Sequence, residues 1–197
     1  MLAFMWRNKM LRPRYFVMLA RLGWLKLRFG KRLQLDGVCF VHRGVKFEIA
    51  RGAAVHLGRW SWIGRGCKIR AHEGEVRVGA KTALGQECTI TAFQQVSIGR
   101  ECVIADRAMF IDFDHCTAEV ERPIRQQGIY KRDVQVGDNV WIGYAACVLR
   151  GVTIGENSVL GANAVATRDI PANVVAGGVP ARVLREREVP RELDWKG

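Results

Sequence analysis

The feature that most narrows the fold of this chain is a six-residue period. From about Leu57 onward an aliphatic residue followed by glycine recurs: Leu57-Gly58, Ile63-Gly64, Val78-Gly79, Leu84-Gly85, Ile98-Gly99, Ile104-Ala105, Val136-Gly137, Ile142-Gly143, Val148, Ile154-Gly155, Leu160-Gly161 and Ala166. Four residues after the aliphatic one stands a small residue, as at Ser61, Cys67, Thr82, Cys88, Cys102, Ala108, Ala146, Ser158 and Ala164. Two inward positions per repeat, one branched and one small, fit short strands of a triangular solenoid, three to a coil of ~18 residues, with the aliphatic side chains stacked in ladders. The glycine suits the turn between faces, where a positive φ or a close backbone approach excludes a Cβ. Gaps between the groups read as insertions. Cys67, Cys88 and Cys102 occupy the small inward position and are expected in the core.

Residues 136–185 read VGDNVWIGYAACVLRGVTIGENSVLGANAVATRDIPANVVAGGVPARVLR. This stretch closely resembles the C-terminal half of the hexapeptide-repeat sugar O-acetyltransferases of the galactoside and maltose acetyltransferase type. The specific part is the ending, Thr167-Arg168-Asp169-Ile170-Pro171 followed by Gly177-Gly178-Val179-Pro180-Ala181-Arg182. The resemblance covers about residues 57–185, tightest after Val134. It implies an all-β solenoid, a left-handed parallel β-helix of hexapeptide repeats, although the general crossover rule favours right-handed connections. It also implies acyl transfer from acetyl-CoA, or another acyl-CoA, to a sugar hydroxyl, and a homotrimer with each CoA groove between neighbouring prisms. The organisation expected is a basic N-terminal helical segment (1–35), a β-helix domain (36–185) with a catalytic loop (111–133), and a C-terminal tail (186–197).

The repeat breaks between Phe110 and Val136, and insertions in solenoids commonly carry function. The insertion contains His115, flanked by Asp112 and Asp114. Acyl transfer from a thioester to a neutral hydroxyl needs a base, and imidazole has a suitable pKa. His115 is the candidate base, as the resemblance implies for a His of this loop; Cys116 stands where the family has Pro. Either Asp112 or Asp114 could orient the imidazole, and alternation in an extended stretch would send both to one side. Both could equally be turn-forming residues. An oxyanion donor is expected in the backbone at Gly143–Tyr144, where many relatives carry Ser in place of Tyr144. The resemblance further assigns Thr167, Arg168, Arg182 and Arg185 to the phosphates of CoA, with Trp141 and the backbone at Ala162 lining the pantetheine groove. His42, His56 and His72 match no motif.

Charge adds one constraint. Formal net charge is +12, and residues 1–32 hold nine of the 31 Lys and Arg and no Asp or Glu. Residues 10–30 read as a helix beginning near Pro13, since proline suits a first helical turn. With Arg14, Arg21 and Arg28 seven apart and Trp6, Phe16, Trp24 and Phe29 nearby, this segment is expected to cover the open end of the solenoid, to lie on anionic lipid, or to do both. No uninterrupted apolar run reaches a spanning length and no signal-peptide pattern opens the chain. A cytoplasmic protein is expected, associated at most peripherally with the inner membrane face. The six cysteines form no CxxC pair, so no metal site or disulfide framework is expected. No nucleic-acid motif accompanies the basic charge. Because the sugar-acetyltransferase N-terminal region is missing, the acceptor expected by analogy is a polysaccharide, glycolipid or oligosaccharide precursor. Another donor such as succinyl-CoA, or an amine acceptor, is the near alternative; a metal-binding or non-enzymatic scaffold is the distant one.

Overall fold

A computed structural model describes residues 13–187, with side chains described from Tyr15 onward. Arg7, Lys9, Arg12, Trp6, the side chain of Arg14 and the tail from residue 188 lie outside the described residues. The described residues begin with helix α1 (Pro13–Phe29) and a 3-10 turn (Gly30–Arg32), then wind through six coils of three parallel strands. The first two coils are β1 (Leu33–Leu35), β2 (Phe40–Val41), β3 (Lys46–Ile49) and β4 (Ala54–Leu57), β5 (Trp62–Ile63), β6 (Lys68–Ala71). The next two are β7 (Glu75–Val78), β8 (Ala83–Leu84), β9 (Thr89–Ala92) and β10 (Gln95–Ile98), β11 (Val103–Ile104), β12 (Met109–Ile111). A hairpin, β13 (Phe113–His115) and β14 (Ile129–Lys131), then projects from the solenoid. The last coils are β15 (Val134–Val136), β16 (Trp141–Ile142), β17 (Cys147–Val148) and β18 (Thr153–Ile154), β19 (Val159–Leu160), β20 (Val165–Ala166). An antiparallel pair, β21 (Val174–Gly177) and β22 (Arg182–Glu186), closes the end.

Three sheets form the faces of the prism. Face A stacks β1-β4-β7-β10-β15-β18, face B stacks β2-β5-β8-β11-β16-β19-β21-β22, and face C stacks β3-β6-β9-β12-β17-β20. This is the left-handed parallel β-helix of hexapeptide repeats. The ladders are those the period predicted: Leu57, Ile63, Ile142, Ile154 and Leu160 are fully buried, as are Ser61, Cys67, Thr82, Cys88, Cys102, Ala146 and Ser158. Each large aliphatic side chain removed from water contributes roughly 1.5–3 kcal/mol, so the stacked ladders dominate stability. The gaps after Ile63 and Leu84 are not insertions. They hold β6 and β9, whose inward Ile69 and Ile90 continue the ladder without a following glycine. The solenoid also begins earlier than expected, at Leu33 rather than residue 36, and its ordered strands run to Glu186.

Apart from Gly161, the glycine after the aliphatic residue serves close approach, not positive φ. A Cβ on Gly64 would lie 2.1 Å from the Gly85 carbonyl oxygen, and one on Gly143 would lie 2.4 Å from the Ala162 nitrogen. The left-handed residue falls two positions later, at Asn139, Asn157, Asn163 and Asn173 among others. Asparagine tolerates that conformation better than most side chains.

Helix α1 caps the first coil. Tyr15, Met18, Leu22, Leu25 and Phe29 form its buried stripe, with Tyr15 edge-on to Phe40 (5.6 Å between centroids) and Phe29 against Phe47 (6.4 Å). Arg21 donates to the Val41 carbonyl, Lys26 to those of Gly30 and Leu33, and Arg32 to that of Ile49. Carbonyls of the first coil thus find donors from the cap. Among the described residues no helix is long and apolar enough to cross a membrane.

Candidate active site

The insertion leaves the solenoid at the edge between faces C and A, and Asp112 holds its root. This side chain is fully buried. Its carboxylate accepts hydrogen bonds from the Phe93 amide (2.8 and 3.1 Å) and the Gln94 amide (2.6 Å) of the coil below, while its own carbonyl accepts from the Arg132 amide (2.9 Å). Gln94 also donates its side-chain amide to Asp133 (2.6 Å), and Lys131 pairs with Glu73. Both strands of the hairpin are therefore fastened to the prism at their base.

His115 stands at the outer end of β13, paired across the hairpin with Ile129, and its imidazole is exposed. A row of rings leads up to it: His72 stacks on Phe93 (4.6 Å), Phe93 meets Phe113 edge-on (4.7 Å), and Phe113 lies 6.2 Å from His115. Beyond, Gln127 ties the loop by donating to the Glu119 and Arg122 carbonyls and accepting from the Glu119 amide. The imidazole is thus presented to solvent on a braced platform. Among the described residues no carboxylate forms an ion pair with it.

Asp112 and Asp114 do not share a side, contrary to the alternation argument. Asp112 keeps the inward side of Phe110, but the strand is interrupted between β12 and β13, and beyond the break Asp114 is exposed and accepts from Arg150 (2.8 Å). Among the described residues neither carboxylate forms a hydrogen bond or ion pair with His115. Asp112 braces the hairpin, the turn-forming role that sequence left open.

The remaining candidates divide among three regions. Thr167 and Arg168 follow β20 on the C–A edge, the edge that carries the hairpin, and both are exposed. Gly143, Tyr144 and Ala162 lie on the opposite edge, between faces B and C, and Trp141 lies half exposed on the outside of face B. Arg182 and Arg185 sit on β22 at the closing end of face B. Their guanidinium groups donate only to backbone carbonyls, and among the described residues neither they nor Arg168 enter an ion pair with a carboxylate. Such arginines remain available for phosphate.

Within the 143–144 turn only one amide is open. The Gly143 N–H donates to the Leu160 carbonyl (2.7 Å), whereas the Tyr144 N–H has no partner among the described residues. The Tyr144 hydroxyl accepts from Arg107 (2.9 Å), which also pairs with Glu87 (3.0 Å). Together with Gln86 and Asp106 these residues line a shallow cleft of about 210 Å³. Sequence reasoning missed Arg107 because 37 positions separate it from Tyr144; only the coil register brings the two together.

A prism of stacked three-strand coils built from six-residue repeats, with one braced, histidine-bearing insertion on an edge, defines a hexapeptide-repeat transferase scaffold. The chain belongs to that family: residues 133–168 match the model described as bacterial transferase hexapeptide (six repeats). WbbJ of Escherichia coli, named a putative lipopolysaccharide biosynthesis O-acetyl transferase, is 33% identical over 146 residues, which cover 70% of this chain and 74% of WbbJ. Rv3034c of Mycobacterium tuberculosis, a probable acetyltransferase, is 37% identical over 190 residues, 96% of this chain. Galactoside O-acetyltransferase of E. coli is 38% identical over 117 residues, 59% of this chain. The chain spans 62% of the length of Rv3034c and 56% of that of the galactoside enzyme. Among solved structures, a galactoside acetyltransferase in complex with coenzyme A superposes with a TM-score of 0.59 at 30% identity, covering 78% of this chain and 66% of that one.

Proposed function

We propose that this protein transfers an acetyl group, or a similar acyl group, from acyl-CoA to a hydroxyl of a sugar, oligosaccharide or polysaccharide or glycolipid precursor. The observation that carries the reading is His115, an exposed imidazole on a hairpin braced to a hexapeptide-repeat prism. Relatives whose names specify galactoside or lipopolysaccharide O-acetyl transfer supply the reaction class.

In this reading the His115 imidazole removes the acceptor's hydroxyl proton as the oxygen attacks the thioester carbonyl. The tetrahedral intermediate carries one negative oxygen, which the open Tyr144 N–H is suited to meet. Collapse breaks the carbon–sulfur bond, and the departing thiolate takes the proton back from the imidazolium. No acyl-enzyme forms. Arg168, Arg182 and Arg185 would meet the phosphates of CoA, with Thr167 beside Arg168, and Trp141 and the Ala162 N–H, which has no partner among the described residues, would line the pantetheine path.

His115 and Tyr144 occupy different edges of one prism, with face C between them. A ring of copies in which the C–A edge of one faces the B–C edge of the next completes the site, and the homotrimer is the assembly proposed. Exposed Val103 and Trp141, aligned in register on face B, support burial of that face against a neighbour. Thiol release from acetyl-CoA with a panel of sugars and oligosaccharides, run beside sedimentation equilibrium, tests both parts. Acceptor-dependent release by a trimer is expected, and acceptor-dependent release by a monomer would remove the shared site.

A further inference from the structure

Helix α1 has two apolar stripes, of which the capping role accounts for one. Opposite the buried stripe lie Phe16, Val17, Ala20, Trp24 and Leu27, all exposed; the four larger ones are 55, 57, 54 and 86% accessible. A helix that merely closed a solenoid would turn a polar face outward. The capping end is also strongly basic. Residues 13–52 contain nine Lys and Arg against two acidic residues, Asp36 and Glu48, and Glu48 is engaged by Arg70 (3.1 Å). Arg28, Lys31, Arg43, Lys46 and Arg51 are exposed there, and the helix has no acidic residue. Arg28 lies over the Trp24 ring at 5.3 Å, which places a cation beside the largest outward aromatic.

An apolar stripe with Trp and Phe inside a cationic surround matches the interface of an anionic phospholipid bilayer, where rings sit at headgroup depth and arginines meet phosphates. A second copy meeting this face would bring two cationic ends together, which charge disfavours. We propose that the outer face of α1 docks the N-terminal end of the prism on an anionic membrane surface, with Trp24 and Leu27 entering the interface and Arg28, Lys31 and Arg43 contacting headgroup phosphates. This surface is independent of the acyl-transfer reading.

The test is flotation of the full chain with vesicles of phosphatidylcholine alone or mixed with phosphatidylglycerol. The variants are Leu27→Glu and the pair Trp24→Ser with Leu27→Ser, whose targets are exposed. Wild type is expected to float with the anionic vesicles and not the neutral ones, to release at high salt, and to lose affinity about tenfold or more in both variants at unchanged melting temperature. Equal flotation of wild type and variants, equal binding to neutral vesicles, or no binding to either would overturn the proposal. So would variants that melt earlier or change sedimentation, because the stripe would then be buried against protein. Acetyl-CoA turnover without acceptor lipid is expected unchanged in both variants, which separates this proposal from the catalytic one.

Discussion

Replacing Asp112 with Ala removes the carboxylate that fastens the hairpin. Two amides, those of Phe93 and Gln94, lose their acceptor at a site with no solvent access to Asp112. Each hydrogen bond to a charged group contributes about 1.5–3 kcal/mol, so the loss is about 3–6 kcal/mol for the pair. For a chain of this size about 2–4 °C is lost per kcal/mol, which gives a melting temperature lower by roughly 6–24 °C. Asp112→Asn retains one acceptor but turns an NH2 group toward a second donor, so an intermediate loss is expected. Thermal denaturation followed by circular dichroism measures the global effect, and amide exchange at Phe93 and Gln94 measures the local one. Because β13 begins one residue on, acceptor-dependent turnover should fall as well while the CoA dissociation constant holds. A melting temperature within about 2 °C of wild type, with both amides still protected, would refute the bracing role and the magnitude built on it.

Gly64→Ala should destabilise by about 1–3 kcal/mol or more, since its Cβ would meet backbone rather than a movable side chain, whereas Gly161→Ala, whose nearest neighbour would be 3.5 Å away, should be near neutral in the same melts. Thiol labelling of the native protein near neutral pH should reach Cys116 first. Cys39 and Cys102, buried and with thiol pKa values raised by that burial, should react only on unfolding, with Cys147, raised by partial burial, between them. Hydrogen bonding from Arg100 holds the Asp138 carboxyl below the usual aspartate range, so the pair's contribution is complete above the ordinary value near ~4 and fades as pH falls through the lowered one. Melts of wild type and Asp138→Asn should therefore converge in acid. Arg168→Ala and Arg182→Ala should raise KM for acetyl-CoA with kcat little changed, read from initial rates at saturating acceptor.

The ladder positions were legible because burial at a fixed period leaves a compositional trace, and Cys67, Cys88 and Cys102 fell in the core where small inward residues were expected. The first coil was not legible: Leu35 and Val41 are followed by Asp36 and His42, so the aliphatic-glycine pair that marks later coils is missing although the strands pair in register. On face C, β6 and β9 were mistaken for gaps for the same reason. The opposite placement of Asp112 and Asp114 depends on the strand break between β12 and β13, which alternation cannot register. Arg150 on Asp114 and Arg107 on Tyr144 are contacts across 36 and 37 positions, set by coil stacking. The closing β21–β22 pair, antiparallel in an otherwise parallel face, has no hexapeptide signature to announce it.

The most direct test of the account compares acceptor-dependent thiol release from acetyl-CoA by the intact protein and His115→Ala. With CoA affinity and melting temperature preserved, the variant is expected to lose at least about 10²-fold in turnover, the loss typical of removing a general base. Turnover undiminished in a folded His115→Ala protein would remove the imidazole from the mechanism and contradict the central claim.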